Sequence, residues 1–388
     1  KRQGWKTGNL GRFLAACALL GVAVAATANE PGAQGRAKAA EYAGVPFDKA
    51  QALQQRAALH AQLMSESVAR GQGTAIRATV TAEETAAIDG APRGERPQRV
   101  GLTKSLAANI DFADVSPGQL KGRTLNRAYG AMAGAADGGY VYTSTLTSPG
   151  ATALRVHFNA FRLPDDASVY LYTENGQAFG PYTGRGPHGD GEFWSHTVMG
   201  DTVYLQVRHA GTVSIEDLRG TGFKVAGLGH VRPRWLGFCS GNANCVENAN
   251  CGSTDPAVSD ARSAVAHMQW ISGPYIYICS GGLVADTDIS SQVPYFLSAN
   301  HCISRGKDAR NLETFFQFEA PCNTSGNCDD IIATRNSHPQ ELRVLGASIV
   351  HTASATDHTL FELREAAPTG SAFLGWNADD VAFANGTG

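Results

Sequence analysis

The sequence predicts a mainly β protein with a helical segment near its amino end. Three observations carry that expectation. Between about residues 100 and 226 apolar residues recur every second position, the period of a half-buried strand. Glycine is frequent, at 44 of 388 residues, while charged residues make up 17%, a balance that favours turn-rich β structure. Beyond residue 238 the apolar runs are short and lie among seven cysteines.

The elements follow in order. Residues 1–28 read as an export signal. Lys1, Arg2, Lys6 and Arg12 precede an apolar run over 13–26, and Ala26-Thr27-Ala28 gives a small-x-small cleavage pattern. The run is too short for a membrane span, which needs about 20 residues. Cys17 lies inside it rather than after it, which disfavours lipidation. Residues 29–95 are rich in Ala, Gln and Glu. Asp48 is placed to cap a helix running to about Arg70, with Leu53, Ala57, Ala61, Met64 and Val68 on one face. Residues 87–99 carry Gly, Pro and Arg93, Arg96 and Arg99, and read as a linker.

Residues 96–226 then read as an antiparallel β-sandwich. Leu154, Val156 and Phe158 alternate with Arg155, His157 and Asn159, and Val203, Leu205 and Val207 with Thr202, Tyr204 and Gln206. Phe179, Tyr182, Phe193 and Trp194 are candidates for sandwich-edge packing or, alternatively, for a surface that binds sugar or peptide. His188 and His196 lack metal-ligand spacing. Residues 227–244 read as a second linker. From Cys245 on, strands are expected at 275–279, 282–284, 295–299, 314–318, 342–345 and 359–363.

Composition narrows the function. A net charge of −3 favours neither a nucleic-acid partner nor stable association with an anionic membrane. Export together with clustering of Cys239, Cys245, Cys251, Cys279, Cys302, Cys322 and Cys328 favours disulfides. The absence of CxxC and HExxH motifs disfavours a metal centre.

The chemistry concentrates in two motifs. Tyr295-Phe296-Leu297-Ser298-Ala299-Asn300-His301-Cys302 places a histidine at the end of an apolar run, where a rigid general base would sit. The 23-residue interval from Cys279 to Cys302 allows a hairpin closed by a bridge. The second motif, Asp357-His358-Thr359-Leu360-Phe361-Glu362-Leu363, puts an acid at the entrance of an apolar strand. Burying that acid is costly unless it is paired. Its useful role is to accept the Nδ1–H of His301 and fix the productive tautomer.

Together with Cys279-Ser280-Gly281-Gly282-Leu283-Val284 and Phe373-Leu374-Gly375-Trp376, these motifs resemble trypsin-like (chymotrypsin-fold) serine peptidases, and within them the bacterial lysyl-endopeptidase-like branch. The resemblance covers residues from about 239 onward. It implies the first β-barrel of a chymotrypsin-like fold over 245–388, with His301 and Asp357 as catalytic residues and bridges Cys279–Cys302 and Cys251–Cys322. It also implies a distant partner for Cys245, and does not cover Cys239 or Cys328. It implies peptide or protein substrates cut after Lys, a secreted bacterial product, and no metal or organic cofactor. The single lysine after Cys245, Lys307, agrees with a Lys preference, but the bias of the whole chain, in which Arg outnumbers Lys 24 to 8, explains it equally well. More loosely, residues 29–226 resemble the region preceding such peptidases, which implies a pro-region that aids folding or masks the site. Lys224, Arg232 and Arg234 are the candidate maturation points.

In that family the order is His, Asp, Ser, the serine lying in a Gly-x-Ser-Gly turn. Ser240, Ser272, Ser280 and Ser325 precede glycines, but all come before Asp357. The expectation is therefore that the serine lies beyond Gly388 and that these residues alone are inactive. Two rival readings are a non-catalytic peptidase homologue and a carbohydrate- or surface-binding module built on the sandwich.

Overall fold

The computed structural model describes residues 36–37, 46–68, 73–91, 97–233, 250–251, 256–288, 290–319 and 336–377. The expected export signal, Arg234, Cys239, Cys245, Cys322 and Cys328 lie outside the described residues. The chain is mainly β, with antiparallel sheets and a short amino-terminal helical part. No described helix is long and apolar enough to cross a membrane.

A two-residue strand, β1 (Arg36–Ala37), precedes helix α1 (Lys49–Glu66). Asp48 caps that helix by accepting the Gln51 N–H at 2.9 Å, which satisfies one of the four free amides at a helix start. The helix stops at Glu66, and its inward face differs from the expected one. Ala52 and Leu63 are buried, with Arg56 and Leu59 half-buried between them, whereas Ala57 and Ala61 are exposed. After β2 (Ile76–Arg77), α2 (Ala82–Asp89) opens on a capping box between Thr81 and Glu84. The predicted linker at 87–99 thus begins inside a helix and ends inside a strand, β3 (Gln98–Asp111).

The sandwich has two layers. One sheet runs β4 (Thr124–Arg127), β5 (Gly130–Gly134), β6 (Tyr140–Thr147), β12 (Thr202–His209), β8 (Ala167–Tyr172) and β9 (Ala178–Tyr182), with β2 parallel beside β6. The other carries β10 (Phe193–Trp194) and β11 (Val198–Met199) on β7 (Ala153–Arg162), then β13 (Gly222–Val231) and β3. Leu146, Val169, Leu205 and Val207 of the first layer share one core with Val156, Phe158, Val225 and Leu228 of the second. Alternation set these faces, as the sequence pattern implied. Arg155 breaks the expected polar-outward rule, because its side of β7 is covered and it is fully buried. The aromatic rings offered above for sugar or peptide binding are also buried: Phe179, Tyr182, Phe193 and Trp194 belong to core clusters. They present no open platform.

The second predicted linker begins late, because residues 227–231 are the end of β13, held between β3 and β7. After α3 (Ile215–Gly220), which leads into β13, and α4 (Pro256–Ala264), the carboxy-terminal strands are β14 (Val265–Ser272), β15 (Tyr275–Leu283), β16 (Tyr295–Ser298), β17 (Glu313–Phe316), β18 (Arg343–Leu345), β19 (Ala347–Ala353) and β20 (His358–Leu363). A short helix, α5 (Gly306–Arg310), precedes β17. Two strands, β14 and β19, were not foreseen. Pairing runs β18-β17-β14-β15-β16-β20-β19. Gly346 alone separates β18 from β19, so the order closes on itself into a barrel. Gly346 turns there at φ +81, where a Cβ would lie 2.7 Å from His188 and 2.8 Å from Arg364; both restrictions select glycine. Met268, Trp270, Leu283, Phe296, Phe316, Phe361 and Leu363 fill the interior.

Candidate active site

Antiparallel pairing of β16 with β20 sets Ser298 opposite Thr359 and Leu297 opposite Leu360. The chain leaving β16 therefore meets the turn that enters β20. His301, three residues past Ser298, comes to face Asp357, two residues before Thr359. Phe296 and Phe361 anchor the two strands in the barrel core. Cys302 is buried and bonded to Cys279 of β15, which ties the histidine turn to the neighbouring strand. Cys251 is also disulfide-bonded.

Asp357 holds His301 at two points. Its Oδ1 accepts the His301 backbone N–H at 2.9 Å, and its Oδ2 lies 2.7 Å from His301 Nδ1. An ionised carboxylate only accepts, so Nδ1 carries the proton and Nε2 of neutral His301 is the lone-pair nitrogen. The same bonds hold the Asp357 carboxyl below the usual carboxylate range, the Nδ1 hydrogen bond contributing most and the backbone N–H next. Asp357 sits at φ +47, in the left-handed region that Asp tolerates better than most residues. The turn is closed by Asp357 N–H donating to Ser354 O at 3.3 Å.

The carboxylate is not buried, contrary to the cost argument made from the sequence. The Asp357 side chain is 54% exposed and that of His301 35%. Pairing therefore orients the groups more than it compensates desolvation.

A polar relay missed in the sequence braces the pair. Asn300 Nδ2 donates to Thr352 Oγ1 at 2.8 Å, Thr352 and Thr359 hydroxyls lie 2.6 Å apart, and Thr359 Oγ1 donates to Ile303 O at 2.7 Å. It spans both sides of His301 and joins them to the β19–β20 hairpin. Only the position of Asn300 and Thr359 beside the motifs hinted at it. On the outer face of β16 and β20, Leu297, Leu360, His351, His358 and Trp376 line an open cleft of about 620 Å³.

Among the described residues no hydroxyl hydrogen-bonds His301 Nε2. Ser280 lies in β15, and its carbonyl accepts from Ser298 Oγ. Ser272 Oγ accepts from Arg305. Ser240 and Ser325 are outside the described residues. Cys279, His301 and Cys302 approach one another closely enough for a metal, but both sulfurs are spent in the disulfide, so no thiolate remains to ligate.

Such a pair can accept a proton at Nε2 and stabilise the resulting imidazolium. No curated protein matches the chain. Residues 239–388 match the family model described as lysyl endopeptidase, C-terminal domain, which makes that region similar to a peptidase-related domain.

Proposed function

We propose that the chain is the precursor of a secreted serine endopeptidase, with His301 as general base and Asp357 as the carboxylate that orients it. The observation that carries the reading is the double hold of Asp357 on His301, backbone and ring together. In the proposed reaction a serine hydroxyl attacks the scissile carbonyl as His301 Nε2 takes its proton. His301 then protonates the leaving amine, while Asp357 keeps Nδ1 protonated throughout. No Gly-x-Ser-Gly follows Asp357 in the 388 residues, so the serine of the proposed triad is not among them. Cleavage after Lys is part of the proposal and is supported by the family match over 239–388. The amino-terminal region serves as the pro-region. Lys224 is poorly placed for maturation cleavage, since it lies mid-strand in β13 with partners Asn109 and Asn159 on either edge.

Peptide hydrolysis by the natural gene product tests this. The reading predicts turnover that His301→Ala abolishes, and no His301-dependent turnover from residues 1–388 expressed alone. Full activity in His301→Ala would remove His301 as the base. His301-dependent activity from residues 1–388 would mean that the nucleophile lies within them.

A further inference from the structure

We propose that residues 98–231 act as a folding template docked on the barrel away from the His301–Asp357 pair, and not as a plug over it. This deepens the pro-region role above and rests on that reading.

The first support is strand pairing. Within the barrel, β15 pairs β16 only at Gly282 and Leu283. The opposite end of β15 would leave an open edge, and β3 occupies it, with Tyr275 opposite Leu102 and Ile278 opposite Gln98. Thr103 N–H adds a bond to Pro274 O at 2.8 Å. A barrel without β3 would present those backbone groups to solvent or to another chain.

The second support is the outer face of β14 and β17. Met268, Trp270 and Phe316 point into the barrel, so Gln269, Ile271, Glu313 and Phe315 point out of it. These four would face water on an isolated barrel, yet all are buried. Glu313 accepts from Thr197 N–H at 2.9 Å and from Thr197 Oγ1 at 2.6 Å. Its carboxylate lies 3.8 Å from Arg155 and 3.4 Å from Arg343. Arg343 in turn donates to Thr197 O at 2.7 Å. Arg155 comes from β7 of the amino-terminal sheet and Thr197 from the connection between β10 and β11. Around this charged group Val100, Trp194, Met199 and Val231 pack with Ile271, Ile276 and Phe315 in one cluster. This is interior-like burial, the composition of an obligate interface.

The third support is what the template leaves alone. Among the described residues no hydrogen bond or ion pair joins residues 46–233 to His301 or Asp357, and both side chains are exposed. A masking segment would have to cover them.

The test uses the full chain with a recognition site for a sequence-specific peptidase inserted between Arg234 and Asn250 and cut after folding. We expect the two pieces to co-elute as one 1:1 complex at neutral pH without denaturant. Thr103→Pro and Arg310→Ala, the latter removing an exposed ion pair to Asp190, should lower the urea concentration at which the pieces separate. Diethyl pyrocarbonate should modify His301, read by peptide mass spectrometry, at a rate within about twofold before cutting and after separation. Pieces that part on cutting would overturn the template. A rise of tenfold or more in His301 modification on separation would restore the plug. Neither readout needs peptide hydrolysis, so failure of the catalytic reading would leave this test standing, and the reverse.

Discussion

Asp357 uses one oxygen for the His301 backbone and the other for its ring, so rotating either side chain loses a bond at once. The sign of the resulting linkage is that of a depressed carboxylate. The contribution is fully present above the ordinary value near 3.8 and is lost as pH falls through the lower folded value. The carboxyl resonance of Asp357 should therefore titrate below 3.8 in the native protein and return toward it in His301→Ala; identical titrations would dissolve the pairing. At this scale the two motifs were readable because each sits next to an apolar strand pattern. The brace through Asn300, Thr352 and Thr359 was not, since three short polar side chains carry no pattern until β16 and β20 are paired. The burial of Glu313 was equally hidden. Its partners Arg155 and Thr197 are more than 100 residues away, and nothing local distinguishes it from a surface glutamate.

At the scale of elements, His301 is placed by a strand end, a turn and a bridge. The Cys279–Cys302 bond closes an interval of 23 residues and should contribute about 2–4 kcal/mol, chiefly by restricting the unfolded chain. The double variant Cys279→Ala, Cys302→Ala should lower the thermal midpoint accordingly. An unchanged midpoint would show that the barrel core holds the turn without it. Period-two alternation located β7, β8 and β12 well. It failed for the faces that the second half of the chain covers, as at Arg155, because alternation reports that a face is apolar and says nothing of what packs against a polar one. The same alternation is present in β14, with Ala266, Met268 and Trp270 inward against His267 and Gln269 outward, so that strand was legible in the pattern although the expected strands did not include it. The linkers at 87–99 and 227–244 were read from Gly, Pro and Arg content, yet β3 and β13 run into both, since residues central to a sheet need only a compatible backbone.

On the scale of the whole molecule, the amino-terminal sheet and the barrel are joined by the pairing of β3 with β15, a buried charge group and an apolar cluster, so they should unfold together. Three histidines make that unit acid-labile. Burial pushes His188 and His230 down to about 4, with nearby arginines adding to the effect. Burial, with Arg343 and Arg155 nearby, pushes His196 well below its ordinary value. Unfolded chains bind these protons near 6.5, so stability falls as pH drops from about 6.5 toward 4. The urea midpoint should decline between pH 7 and pH 5, and less so in His230→Asn; a flat profile would contradict it. The mainly β class was open to reading from the sequence. The single sheet linking the two halves was not, because the pairing of β3 with β15 joins segments about 175 residues apart, a register that no local pattern encodes. The most direct test of the catalytic account is the steady-state kinetics of Asp357→Asn in the natural gene product. We predict a fall in kcat of about 10³–10⁴-fold with KM within about twofold, as expected when the base is left in the wrong tautomer; an unchanged kcat would contradict the account.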